Sequence, residues 1–189
     1  MPIMSDQQCA EWTLSEAARL LGEPQHRMIY LCEKGVVQPD LQDAEGRGSS
    51  RRFSARNLLE FGVALRLREL GIPASVIGAV LYVLRGFERA IGKKLSGFKL
   101  PGSLAVAGAP ELKVIVGDDQ RLYFSLELSK GKAKTYGGIS IQDLVVSGDD
   151  ADQPKKPLRG LGKEAKPGRL LAKVEVSVTG IAKEFGLGA

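Results

Sequence analysis

The spacing of apolar residues changes once along the chain, close to Gly97. Before that point, Leu, Ile and Val recur at intervals of three and four, the period of one face of an α-helix. After it, short segments rich in Val, Ile, Leu and aromatic residues are separated by turn-forming pairs such as Asp118–Asp119. The chain is therefore predicted to be α+β, with a flexible start over 1–11, a four-helix unit over 12–96 and a smaller β-rich unit over 97–189.

Four helices are predicted in the first unit, each bounded by residues that start or stop a helix. Thr13 and Glu16 have the spacing of a capping box, in which each side chain accepts the backbone N–H of the other residue. Serine also caps a helix start, proline suits a first turn, and glycine suits the left-handed conformation at a helix end. These rules place the other boundaries at Gly22, Pro24, Gly35, Ser54, Gly71 and Pro73.

The second unit is predicted to contain four strands, in the segments ELKVIVG, RLYFSLELS, AKTYGGISI and RLLAKVEVSVTG. Before the last of them, residues 147–168 are rich in Gly, Pro, Lys and Asp, which predicts a mobile loop. Two interpretations of this unit stay open. It binds a small-molecule or protein effector, which a closed apolar cavity would favour, or it assembles with partners, which a flat interface would favour.

The loop between the second and third predicted helices carries the segment GRGSSRRFSARN, in which four arginines stand without an acid. Two extended pieces, near Val36–Val37 and Arg51–Phe53, are expected to pair across this loop. Guanidinium groups and the backbone N–H groups of glycine-containing loops both bind phosphate well. The alternative is a solvated surface loop, because runs of like charge are often no more than that.

Several segments, in their order and spacing, resemble the DNA-binding module of MerR-type transcription regulators over residues 12–84. WTLSEAARLLG is similar to its first helix, YLCEKGVVQP to the end of its recognition helix, RRFS to the close of its wing, and ALRLRELGI to the approach to its fourth helix. The resemblance implies a winged helix-turn-helix domain that acts as a homodimer, binds double-stranded DNA at inverted half-sites and distorts the promoter. It does not extend to the β-rich unit.

The resemblance and the residue chemistry together assign DNA contacts to two places. In the second helix, the polar residues of the first turn, Gln25, His26 and Arg27, are expected to meet base edges. Tyr30, one turn further on, is expected to contact the DNA as well. In the wing, phosphates are expected to be bound by Arg47, Gly48, Ser50, Arg51 and Arg52. The simpler alternatives are an ordinary exposed His26 and a Tyr30 that packs against the wing. Ile29 and Cys32 depart from the family pattern, which usually has an arginine and an acid there.

The apolar side of the fourth predicted helix continues beyond the part that resembles the family. A single short recognition helix reads only a few base pairs, so helix-turn-helix proteins commonly pair across two half-sites. Because this apolar side is too short for a self-sufficient coiled coil, the β-rich unit is expected to contribute as well. The residues predicted to take part in dimerisation are Leu84, Phe87, Ile91 and Leu95.

The sequence gives little support to other classes of function. Two cysteines, Cys9 and Cys32, give neither a disulfide framework nor the spacing of metal ligands, and no histidine follows His26. No metal or cofactor is therefore expected, and without a nucleotide-binding loop or a catalytic arrangement the protein is not expected to be an enzyme. It has no secretory signal and no apolar run of membrane-spanning length, so we expect it to be cytoplasmic and not to bind a membrane.

The sequence thus predicts a sequence-specific transcription regulator that acts on double-stranded DNA. Its net charge of +5 is compatible with such a polyanionic partner but does not require one. Two alternatives remain. The same module would serve a DNA-bending accessory factor for recombination or partition, or a partner-docking protein whose C-terminal unit assembles without a ligand.

Overall fold

A computed structural model of the chain describes residues 10–41, 50–145 and 158–188. Within these ranges it contains seven helices and a four-stranded antiparallel sheet, so the α+β prediction is confirmed. The predicted contacts Arg47 and Gly48 lie outside the described residues, as do most of the predicted flexible start and the first part of the predicted mobile loop.

Helices α1 (Leu14–Leu21) and α2 (Gln25–Glu33) begin and end close to the predicted boundaries. The capping box is formed: the Glu16 N–H donates to the Thr13 hydroxyl at 3.3 Å, and the Thr13 N–H donates to the Glu16 carboxylate at 2.8 Å. Gly22 then adopts a left-handed φ of 66° and ends α1. The tight turn that follows places α2 against α1.

Helix α3 (Ala55–Glu69) is the centre of the helical part, because an almost unbroken run of its residues from 57 to 67 is buried. Ser54 caps it, as predicted, by accepting the N–H of Asn57. Helix α4 (Ala74–Gly92) starts after Pro73 and packs against α3 along its length.

The sheet has the spatial order β3-β2-β1-β4, and all its neighbours are antiparallel. Each strand lies inside one of the four predicted segments. Alternate residues point to opposite faces of a sheet, and here one face is apolar and covered by helices. The strands are β1 (Glu111–Gly117), β2 (Arg121–Glu127), β3 (Lys134–Ser140) and β4 (Lys173–Ser177).

The segment predicted as the last strand is divided between a strand and a helix. β4 ends at Ser177, and α7 (Val178–Glu184) follows it directly. The Ser177 hydroxyl accepts the N–H of Gly180 at 2.8 Å, a cap that outweighs the strand preference of the valines around it. The helices α5 (Gly102–Ala105) and α6 (Ile141–Val145) are also absent from the sequence prediction, since they are too short to show a period.

The apolar side of α4 packs against the sheet of the same chain. Phe87 stacks on Phe124 of β2 with ring centroids 4.7 Å apart, and it also meets Tyr136 of β3 at 5.6 Å. Leu84 and Ile91 are 2% and 1% exposed. The prediction that these residues form a dimer surface is therefore wrong, because the sheet already covers them.

Leu95, the last residue of that predicted surface, is half-buried and packs against the same core. The buried residues of the helical part and of the sheet form one continuous apolar cluster. The predicted boundary at residues 96 and 97 therefore does not separate two hydrophobic cores.

The described end of the predicted mobile loop packs against α4 and the sheet. Leu161 is 2% exposed, and the side chains of Leu158 and Leu161 lie where a Cβ on Gly86 would stand, at 2.8 and 2.9 Å. Gly86 thus costs helix propensity but permits this close approach. Further along, Glu164 pairs with Tyr136 at the edge of β3. Residues 158–164 are therefore part of the packed structure, which their composition does not indicate.

We predict that Phe87→Ala lowers the free energy of unfolding by about 3–5 kcal/mol, the usual cost of removing a buried phenylalanine side chain. Chemical denaturation should be followed both by circular dichroism and by the fluorescence of Trp12, the single tryptophan. Because the core is continuous, both signals should shift together. Leu171→Ala, at a side chain 80% exposed, is the control and should change stability by less than about 0.5 kcal/mol. Two separate transitions would contradict the prediction.

Candidate nucleic-acid interface

The first turn of α2 presents its polar side chains to solvent. Gln25, His26 and Arg27 are exposed, while Met28 and Leu31 are 0% and 1% exposed and anchor the other side of the helix to the core. The arrangement leaves three hydrogen-bonding side chains together at the start of a rigidly held helix. The structure therefore brings together three of the residues predicted to contact DNA.

Arg27 already has a partner within the chain. Its guanidinium lies 3.0 Å from the carboxylate of Glu23, and its side chain remains 51% exposed. Exposed ion pairs of this kind contribute only about 0–1 kcal/mol. The pair therefore orients Arg27. Because the pair is weak, Arg27 can leave Glu23 for another anionic partner at little cost in free energy.

Tyr30, one turn along α2, is flanked by two cations. The Nζ of Lys34 lies 5.8 Å from its ring centroid, and the guanidinium carbon of Arg68 on α3 lies 5.4 Å from it. Tyr30 is half-buried against the core. Lys34 and Arg68 were not among the predicted contacts. Arg68 lies 38 positions from Tyr30, so only the packing of α3 on α2 reveals it.

The described part of the predicted wing is anchored to the start of α1. The Phe53 N–H donates to the Trp12 carbonyl at 2.9 Å, and the Trp12 N–H donates to the Phe53 carbonyl at 3.0 Å. The expected pairing with Val36–Val37 is therefore wrong: Val37 is fully buried, and Trp12 supplies the partner backbone instead. This bridge holds Arg51 and Arg52 next to α1.

The predicted contacts in this strand-like segment differ in their surroundings. Ser50 is exposed, whereas Arg51 and Arg52 are half-buried. Hydrogen bonds from Thr13 lower the pKa of the Glu16 carboxyl, and the positive charge of Arg52 lowers it further. Arg52 is thus partly balanced by an acid from α1. Arg56, from the same arginine-rich segment, is bound at 2.8 Å to Glu88 of α4 and has a structural role.

A network of polar side chains closes the base of the arginine-rich loop. Asn57 lies at its centre: its carbonyl oxygen accepts the N–H of Asp40 at 2.8 Å and of Ser54 at 3.2 Å. The Ser54 hydroxyl donates to the Asp40 carboxylate at 2.9 Å. The two ends of the loop are therefore joined to each other and to the first turn of α3.

A buried ion pair extends this network to α4. The side chain of Glu60 is 3% exposed, its carboxylate accepts two hydrogen bonds from the Arg85 guanidinium, one at 2.7 Å, and it also accepts the Asn57 amide at 3.2 Å. The hydrogen bonds that Arg85 donates to Glu60 raise the pKa of Arg85, which stays charged. A buried carboxylate needs such a partner to remain ionised, so the loop, α3 and α4 are fixed relative to one another.

The open face of the sheet contains a groove of about 340 Å³. Its floor is lined by an ion-pair ladder in which Glu175 meets Lys113 at 3.0 Å and Lys173 at 2.7 Å. Tyr123 also lies there, where burial and a hydrogen bond to Asp119 raise its pKa to about 12. The groove is polar and lies on the sheet surface, and so lacks the character of the closed apolar cavity expected for a small-molecule effector.

Other kinds of site receive no support in the described part of the chain. No helix there is long and apolar enough to cross a membrane. Within the same residues, no three His, Cys, Asp or Glu side chains are grouped so that they could hold a metal ion. No protein-family model matches the sequence, and a search of curated proteins gives no match either. The resemblance to MerR-type regulators therefore stays a prediction from the residues.

We predict that Arg85→Met lowers the free energy of unfolding by about 3 kcal/mol, since it leaves the Glu60 carboxylate buried without its cation. The double variant Glu60→Gln/Arg85→Met should be more stable than Arg85→Met alone, because a neutral amide needs no counterion and still accepts the Asn57 hydrogen bond. Urea denaturation measures both values.

Arg89→Met is the matched control for this prediction, because Arg89 is exposed and lies one turn further along α4. It should change the free energy of unfolding by less than about 0.5 kcal/mol. The structural role of the ion pair would be refuted by a double variant that is no more stable than Arg85→Met.

Proposed function

We propose that this protein is a sequence-specific DNA-binding transcription regulator built on a winged helix-turn-helix. The observation that carries the proposal is the exposed first turn of α2, with Gln25, His26 and Arg27 next to a tyrosine flanked by two cations. Side chains of these types bind base edges in the major groove and the backbone phosphates beside it. The tight turn between α1 and α2 supports the same interpretation, because it leaves one face of α2 accessible.

Within this proposal α2 reads the sequence and the loop that follows it binds the DNA backbone. Arg27 is suited to a guanine, because an exposed guanidinium can donate two hydrogen bonds to one base edge. Lys34 and Arg68 are suited to phosphates on either side of Tyr30. The closed base of the loop supports a fixed position of Arg51 and Arg52 beside α1, and rigid placement favours recognition.

We also propose that two copies act together on one site, since one short helix reads few base pairs. The apolar side of α4 does not join them, because it is buried within the chain. A transcription regulator of the MerR type would distort its promoter. The same contacts would serve a DNA-bending accessory factor. A third alternative is a protein that assembles with a protein partner, which would bind at the polar groove of the sheet.

The sequence preference should be measured by selecting bound duplexes from a random library and then titrating the selected duplex and an unrelated one. We expect Arg27→Ala to weaken binding to the selected duplex by roughly 1–3 kcal/mol and to relax the preference at one position. Lys183→Ala, which removes an exposed charge from α7, should leave both affinities unchanged. If the library gives no enriched sequence, the protein is not a sequence-specific regulator.

The backbone contacts should appear in the salt dependence of binding. We expect Arg51→Ala/Arg52→Ala to weaken binding to selected and unrelated duplexes equally, and to reduce the slope of log affinity against log salt by about one unit for each lost phosphate contact. An unchanged slope would show that these arginines do not bind phosphate. A melting temperature equal to that of the unaltered protein is the control that the variant remains folded.

A further inference from the structure

The positive charge of the chain is concentrated on three segments outside the proposed recognition surface. Residues 93–99, 130–134 and 158–169 contain ten Lys and Arg against a single acid, whereas the rest of the chain has 17 against 21. Every one of these ten side chains is exposed. The net charge of +5 therefore understates the local excess, and we call the exposed cations of these three segments the basic rim.

The fold brings the three segments together along the outer edge of β3. The Ala165 N–H donates to the Thr135 carbonyl at 2.8 Å, and Glu164 lies opposite Tyr136, so the middle of the segment 158–169 runs beside this strand. Lys94, just after α4, donates to the Gly162 carbonyl and lies 5.8 Å from the Tyr136 ring centroid. Segments that are far apart in sequence thus form one surface.

The one acid in the rim is already occupied. Glu164 binds the Nζ of Lys134 at 2.6 Å. This hydrogen bond lowers the pKa of the Glu164 carboxyl, and the charges of Lys94 and Lys166 lower it further. A single carboxylate therefore serves several neighbouring cations. The remaining charges repel one another at low salt, where screening extends over about 10 Å or more, and this repulsion favours an external polyanion.

We propose that the basic rim is a second DNA-binding surface, which binds phosphates of the duplex outside the base pairs read by α2. The inference rests on the proposed function and extends it, since it assigns a role to the C-terminal half. Exposed lysines suit backbone phosphates, which need charge but no fixed bonding geometry. An anionic membrane surface is the competing partner, but α4, the long helix that ends at the rim, buries its apolar side within the chain and so does not offer it for insertion.

Lys163→Ala/Lys166→Ala in the full-length protein tests this proposal, because neither residue has a side-chain bond in the described contacts and Glu164 keeps Lys134. We expect weaker binding to selected and unrelated duplexes alike, with the slope of log affinity against log salt reduced by up to about two units. Lys173→Ala/Lys183→Ala removes the same charge from the opposite edge of the sheet and from α7, and should leave the slope unchanged.

The outcomes separate this proposal from the proposed function. If Lys163→Ala/Lys166→Ala behaves like its control while Arg51→Ala/Arg52→Ala loses affinity, the rim proposal is wrong and the function stands. If the unaltered protein binds no duplex even at low salt, both are wrong. Vesicles of mixed neutral and anionic phospholipid serve as the second probe: binding to them that the lysine variant abolishes, with duplex binding unchanged, would make the rim a membrane surface.

Discussion

The contact between α4 and the sheet holds the whole molecule together. Phe87 stacks on Phe124, and around this pair the cores of the helical part and of the sheet become one. Burying aromatic side chains contributes more than most other contacts in a protein of this size. The helix α4 that packs on the sheet also carries Arg85 and Glu88, which form ion pairs with Glu60 and Arg56 of α3. The proposed DNA-binding surface therefore depends on a contact in the C-terminal half.

Local signals in the sequence identified most of the helices and strands. Thr13 with Glu16, and Ser54 at the start of α3, determine helix starts through bonds to residues only three positions away, so their effect can be derived from spacing alone. The strands were found because β-branched and aromatic residues alternate in them. The end of the fourth strand is predicted wrongly for a related reason. Ser177 ends the strand by capping α7, and composition does not distinguish a capping serine within a run of valines.

Contacts between distant residues could not be derived in the same way. The periodicity of α4 shows that Phe87 and Ile91 share an apolar side, but it does not show whether a second chain or the sheet covers that side. The Trp12–Phe53 bridge and the Glu60–Arg85 pair join residues separated by 41 and 25 positions. For the candidate interface, exposure of the first turn of α2 followed from its polar residues, whereas Arg68 and the basic rim required the three-dimensional arrangement.

The closed base of the arginine-rich loop has a consequence for how such a scaffold can diversify. Asp40 and Ser54 are joined through Asn57, so the helices on either side are held in place by bonds that do not involve the residues between them. The entropy of closing a loop grows only slowly with its length. Phe53 must stay, because it is fully buried and paired with Trp12. The part of the segment before the arginines can therefore be lengthened, shortened or exchanged, and this gives evolution or an engineer an insertion site whose contents can change while α2 and α3 keep their geometry.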